Sequence, residues 1–244
     1  MTGFPFERNP DRPLLAWHRG ASGRELENSP AAFSLAVAEG ADLVEFDVRL
    51  CADGDPVVIH DERTGRTARE DLRVSRTSSA RLRRLKLKNG EPLPFLADVL
   101  EIVGGKVPVN LEVKDPGGAE ASLRTLERAG YRGEVLFSSG LRGECVCLRA
   151  LRPDLPCGLV TGRPSASDVA FCLRHSLPSI HPDFRKLTVL RIRKVLASGL
   201  VLLPYTVDDP ARFLWLAQRG ARGVFSNRPA ALREAWERRL ERPS

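Results

Sequence analysis

The sequence predicts an α/β protein in which one parallel sheet closes on itself. Three observations lead there. Short apolar runs alternate with amphipathic segments along the chain about eight times, the rhythm of repeated βα units. No Pro/Gly/Ser-rich linker interrupts it, so residues 1–244 read as a single domain. A chain of 244 residues is also an ordinary size for eight such units around one core. This favours a (β/α)8 barrel of the TIM type over the alternative, an open doubly wound sheet.

The elements follow in order. Strands are expected at 14–17, 42–48, 57–59, 107–113, 134–137, 157–160, 179–181, 200–205 and 223–225, each a short apolar run. Helices are expected at 29–39, 118–129, 142–151, 167–173, 187–197, 210–218 and 229–239. Asn28-Ser29-Pro30 and Asn227-Arg228-Pro229 each set a capping side chain beside a first-turn proline. Gly40, Gly130, Gly199 and Gly220 stand where helices should stop. The stretch 62–93 breaks the rhythm. It is polar and Arg-rich, and reads either as a lid or as a solvated connection with one helix near 78–85.

Composition narrows the class. Apolar residues make up 42% and charged residues 28%, as in a soluble globular protein. Residues 1–12 hold no apolar stretch like a secretion signal, and runs such as 200–203 are too short to span a bilayer. The expected location is the cytoplasm, with no stable membrane anchor. The five cysteines, Cys51, Cys145, Cys147, Cys157 and Cys172, form no CxxC pair and read as buried free thiols. The net charge of +7 comes mainly from arginine, 32 Arg against 6 Lys. Those arginines are scattered through helices, not gathered in one stripe, so nucleic acid is not the expected partner. The positive balance does favour anionic substrates.

The polar residues at the ends of apolar runs carry the chemistry. Residues 14–17 lead into His18-Arg19-Gly20, and 43–44 into Glu45-Phe46-Asp47. Residues 57–59 end in His60-Asp61, and Val109-Asn110-Leu111 leads into Glu112-Val113-Lys114. A parallel barrel delivers every strand's C-terminal end to one face, where active sites sit. Side chains two apart on a strand share a face, so Glu45 joins Asp47 and Glu112 joins Lys114. Three converging carboxylates repel one another, and a divalent cation such as Mg2+ or Ca2+ is the usual remedy. Arg19 and Lys114 add fixed positive charge suited to a phosphate. His18 and His60 can trade protons near neutral pH. Each feature alone is commonplace; the case rests on all four in one βα-alternating chain.

These residues resemble the glycerophosphodiester phosphodiesterase family. His18-Arg19-Gly20, Glu27-Asn28-Ser29 and Ala32-Phe33 are similar to its HRG…ENT…AF signature. Gly40-Ala41-Asp42, Glu45-Phe46-Asp47-Val48, Asp53-Gly54 and Val57-Val58-Ile59-His60-Asp61 resemble its GAD…ExDV…DG…VVxHD run. Residues 94–100 and Asn110-Leu111-Glu112-Val113-Lys114 resemble the segment before its third site strand and the strand itself, and 201–208 and 220–229 resemble its last two strands. The resemblance implies a barrel enzyme that hydrolyses glycerophosphodiesters to glycerol 3-phosphate and an alcohol. It implies Glu45, Asp47 and Glu112 as metal ligands, His18 and His60 as the acid/base pair, Arg19 and Lys114 as phosphate contacts, and Glu27 as an acidic support. The C-terminal part departs from the pattern. A WTVN segment is here Tyr205-Thr206-Val207-Asp208, and GxDGIxTDxP is here 220–229 with Arg222 and Asn227 at the acidic positions. Tyr205 is still expected to line the glycerol pocket, and Asn227 to cap a helix. Two other readings stand beside this one: a lysophospholipase D-type enzyme, and a non-catalytic phosphodiester-binding protein. Nothing in the sequence sets an oligomeric state.

Overall fold

The computed structural model describes residues 12–241. Within them the strands are β1 (Leu14–Trp17), β2 (Leu43–Leu50), β3 (Pro56–Val58), β4 (Val109–Val113), β5 (Val135–Ser139), β6 (Cys157–Thr161), β7 (Ser179–Pro182), β8 (Val201–Leu202) and β9 (Gly223–Ser226). The helices are α1 (Pro30–Ala38), α2 (Ser79–Leu82), α3 (Leu96–Val103), α4 (Gly118–Arg128), α5 (Arg142–Leu151), α6 (Ala166–Arg174), α7 (Val189–Ala197), α8 (Pro210–Ala217) and α9 (Pro229–Leu240). Parallel neighbours run β8-β7-β6-β5-β4-β2-β1-β9. The remaining seam is bridged by backbone bonds: Arg222 N donates to Leu202 O (3.0 Å), Phe225 N to Pro204 O (2.9 Å) and Val207 N to Phe225 O (2.8 Å). The predicted parallel eight-stranded barrel is therefore observed.

Three expectations change. The run 57–59 is not a barrel strand; β3 lies antiparallel to β2, with Val48 opposite Val58. The reason is the tight turn at 51–55, where Gly54 N donates to Cys51 O and Cys51 N to Asp55 O. A connection that short can only return antiparallel. The expected strand at 200–205 forms a continuous ladder only at Val201–Leu202, with Tyr205 pairing Asp183 as an isolated bridge, and Pro204 has no N–H to donate. The excursion 62–93 is no mere solvated connection. It carries two 3-10 turns and α2, and Leu82, Leu85, Leu87 and Leu93 bury with Val57, Ile59 and Phe95 in a small core of their own.

Strand alternation sorts the rest. Outward residues such as Leu15, Trp17, Val44, Phe46, Leu111 and Phe137 pack under the helices. Inward residues Leu14, Ala16, Leu43, Leu136, Leu203 and Phe225 fill the barrel as a separate cluster. The same parity turns Glu45, Asp47, Asn110, Glu112 and Lys114 inward, beyond that apolar plug toward the strands' C-terminal ends. Ser29 caps α1 by accepting from Ala32 N, and Gly40 and Gly220 follow their helices with φ of 64° and 92°. The five cysteines are free thiols, four of them buried. Among the described residues no helix is long and apolar enough to cross a membrane.

Candidate active site

The inward side chains open into a cavity of about 480 Å3 at the C-terminal face. His18, Arg19, Glu45, His60, Glu112, Lys114 and Tyr205 all line it, and Asp47 lies fully buried behind. Glu27, like Asp47, stands outside the lining. It pairs with Arg19 (2.7 Å) and is clamped by both terminal nitrogens of Arg66 at 2.7 Å.

The carboxylates form the charged centre. Glu45, Asp47 and Glu112 each offer an oxygen within 4.8 Å of the others. Asp47 is opposite Glu112 in the β2–β4 register, which explains their proximity. Arg19 has a left-handed backbone, φ 58°, and its N–H donates to Glu45 Oε2 at 2.8 Å. Asn28 Nδ2 donates to Asp47 Oδ2 (2.9 Å), which also meets Arg19 Nε at 3.1 Å. Lys114 Nζ bridges Asp47 (3.0 Å) and Glu112.

Burial raises the Asp47 carboxyl, but Lys114 and Arg19 outweigh it and hold Asp47 well below the usual carboxylate range. Burial, then the charges of Asp47 and Glu112, push Glu45 well above that range; burial raises Glu112 too. The cluster is thus short of positive charge. Glu45 Oε1 is buried without a hydrogen-bond partner. An orphaned oxygen among three carboxylates fits a bound metal ion.

The two histidines sit in different surroundings. His18 Nδ1 lies 2.8 Å from Asn227 Oδ1. Asn227 donates its amide N–H to Asp208 Oδ2 (2.8 Å), and Ser22 Oγ also donates to Asn227 Oδ1 (2.9 Å). Asn227 Oδ1 is therefore an acceptor, so His18 carries its proton on Nδ1 and keeps a lone pair on Nε2. Burial, then Arg19, lowers the His18 pKa to about 4. His60 Nδ1 instead bonds Asp61 Oδ1 at 2.7 Å. The hydrogen bond from Arg66 leads in holding Asp61 at a pKa of about 2, so His60 has an anionic partner.

The expected helix cap at Asn227 is not found. Arg228 occupies that position with no side-chain cap bond, because the Asn227 amide is taken up between His18 and Asp208. Arg222 lies at the N-terminal end of β9, away from the mouth, and donates to Arg12 O (2.8 Å). Tyr205 lines the cavity and donates to Thr161 O (3.3 Å).

Sequence reasoning missed Asp208 as an orienting group and His181 as part of the wall. The signal for Asp208 was there. The Asn and Asp of the family pattern have exchanged places between positions 208 and 227, which keeps one amide and one carboxylate in the pair.

A model of the glycerophosphoryl diester phosphodiesterase family matches residues 18–231. A glycerophosphodiester phosphodiesterase of Caldanaerobacter subterraneus is 29% identical over 234 residues, covering 91% of this chain and 96% of the relative. One of Bacillus subtilis is 28% identical, covering 91% and 85%. An Oleispira antarctica phosphodiesterase, solved in complex with the product sn-glycerol-3-phosphate, superposes with a TM-score of 0.87 at 28% identity, covering 92% of this chain and 97% of that one. This chain belongs to the glycerophosphoryl diester phosphodiesterase family and is a phosphoric diester hydrolase.

Proposed function

We propose that this enzyme hydrolyses glycerophosphodiesters to glycerol 3-phosphate and an alcohol with the help of a divalent cation, using His18 as general base and His60 as general acid. Glu45, Asp47 and Glu112 would hold the cation, Mg2+ or Ca2+, which supplies Lewis-acid stabilisation of the phosphoryl oxygens. Arg19 and Lys114 add positive charge beside the phosphate and oppose its repulsion by the carboxylates.

The observation that carries the role assignment is the difference between the histidines' partners. His18 rests on a neutral amide and is held uncharged, so its Nε2 can take the proton of the attacking hydroxyl. His60 Nδ1 is held by the Asp61 carboxylate at 2.7 Å, which fixes the ring, and we assign it the proton delivered to the leaving alkoxide. Each transfer is worth roughly 10²–10⁴-fold in rate. Asn227 and Asp208 keep the His18 ring in one tautomer while it works.

Release of glycerol 3-phosphate from glycerophosphocholine tests the cation requirement. Activity should vanish in excess chelator and return with Mg2+ or Ca2+. Full activity in chelator would remove the cation from the mechanism.

A further inference from the structure

The chain's positive charge is unevenly placed. Between residues 169 and 207 stand six basic residues, Arg174, Arg185, Lys186, Arg191, Arg193 and Lys194, against one acid, Asp183. Asp183 is taken by Arg185 (2.9 Å), and Asp168 in the first turn of α6 by Arg142 (2.8 Å). Among the described residues, Arg163, Arg174, Arg193 and Lys194 meet no carboxylate, and all four are exposed. Arg191 reaches a carbonyl instead, Lys186 O at 3.2 Å. Helix arginines elsewhere pair within their own helix, as Arg124 does with Glu120 and Arg238 with Glu234.

The same stretch exposes apolar side chains. Leu190 is 62% exposed, Leu173 55% and Val189 39%. The cause is thin packing: of α6 only Cys172 is fully buried, and of α7 only Ile192 and Val195. A groove of about 500 Å3 runs between the two helices. α6 lines it with Val169 and Leu173, one turn apart, and α7 with Leu190, Arg191 and Lys194. Arg163, just after β6, closes the end nearest the barrel mouth.

Exposed leucines beside unpaired cations suit one kind of partner. Protein interfaces are depleted of lysine, and of charge at their centre. A bilayer of anionic lipid presents dense phosphate, which guanidinium grips, above a layer that accepts leucine, and it asks for no matching shape. We infer that the α6–α7 face is a docking surface for an anionic phospholipid bilayer. Leu173, Val189 and Leu190 enter the interface, while Arg163, Arg174, Arg191, Arg193 and Lys194 hold lipid phosphates. The association is reversible, since these helices lie on the membrane and are too short to cross it. Arg163 and the cavity residue Arg185 join this face to the rim, so docking holds the mouth beside the headgroup layer.

The test is co-sedimentation of the full chain with vesicles of phosphatidylglycerol and phosphatidylcholine, and of phosphatidylcholine alone. Wild type should bind the anionic vesicles about 100-fold more tightly in about 50 mM salt, and lose most of that preference in about 500 mM. Each basic residue at such a surface is worth about fivefold, so the triple variant Arg163→Gln, Arg191→Gln, Lys194→Gln should bind roughly 100-fold more weakly. Leu173→Ser with Leu190→Ser should lose about tenfold. Removing equal charge elsewhere, by Arg84→Gln, Arg238→Gln and Arg239→Gln, should change binding less than about threefold. If the first triple variant melts early, Arg163→Gln with Lys194→Gln, both exposed, replaces it, with a loss of about 25-fold expected. Failure to bind anionic vesicles, equal binding to both vesicle types, or an equal loss in the distant triple variant would overturn the inference. So would a dimer that Leu190→Ser abolishes, or capture of an acidic amphipathic peptide, in a chain that binds no vesicles, because the face would then belong to a protein.

Discussion

The cavity has two unlike halves. Strands β1 to β4 supply every charged group of the centre: His18, Arg19, Glu45, Asp47, His60, Glu112 and Lys114. Strands β5 to β9 and their loops supply a mostly neutral wall, with Ser138, Val160, His181, Tyr205 and Phe225. Buried charge is tolerable only beside opposite charge. The carboxylates and their cations therefore come from adjacent strands in direct register, such as Asp47 opposite Glu112. The neutral wall has no such constraint and is free to fit a substrate. A side-chain relay across the halves runs from Asp208 through Asn227 to His18.

The largest effects should fall on the charged half. His18→Ala and His60→Ala should each cut kcat by roughly 10²–10⁴-fold. Cation affinity, read by calorimetry, should stay near wild type. A loss of cation binding in either would make that histidine a ligand.

Stability should carry the mark of one histidine from each half. His181 and His18 are uncharged when folded, because burial lowers their pKa values to about 3 and about 4 from the ordinary 6.5. Folded pKa values below the unfolded one mean that the unfolded chain binds the extra protons. The stabilisation is complete above pH 6.5 and is lost as pH falls toward those folded values, by about 1.4 kcal/mol per pH unit per histidine. Urea unfolding between pH 7 and 5 should show this slope, and His181→Gln should flatten it. Gly158→Ala should cost about 1–3 kcal/mol, measured in the same way, because a Cβ there would come within 2.4 Å of His181 Nε2.

Smaller effects should come from the relay. Asp208→Ala frees the Asn227 amide to turn and should lower kcat about tenfold, the worth of one oriented hydrogen bond. The double exchange Asp208→Asn with Asn227→Asp puts a carboxylate on His18. A carboxylate favours the imidazolium, so the acidic limb of the pH–rate profile should move to higher pH. An unmoved limb would detach that limb from His18. Tyr205→Phe removes only a long bond of 3.3 Å and should change kcat/KM less than about threefold.

The two halves also differed in how far the sequence revealed them. Charged residues at the ends of apolar runs stand out, so His18, Glu45, Asp47, His60, Glu112 and Lys114 were legible before the fold was known. The βα rhythm likewise announced the barrel. His181 did not stand out, since one imidazole in an apolar run reads as core until its neighbours are known. The partner of His18 is 209 positions away, and no local pattern links an asparagine to a histidine at that distance. The direction of β3 depended on a tight turn and not on its apolar content. The small core within 62–93 was hidden because its leucines are spread among arginines.

The account stands most directly on the split between the histidines. Replacing the natural alcohol by p-nitrophenol gives a leaving group that needs little protonation. With that substrate, kcat of His60→Ala should recover most of its loss, while kcat of His18→Ala should stay low. Equal recovery of both variants, or recovery of His18→Ala alone, would contradict the assignment.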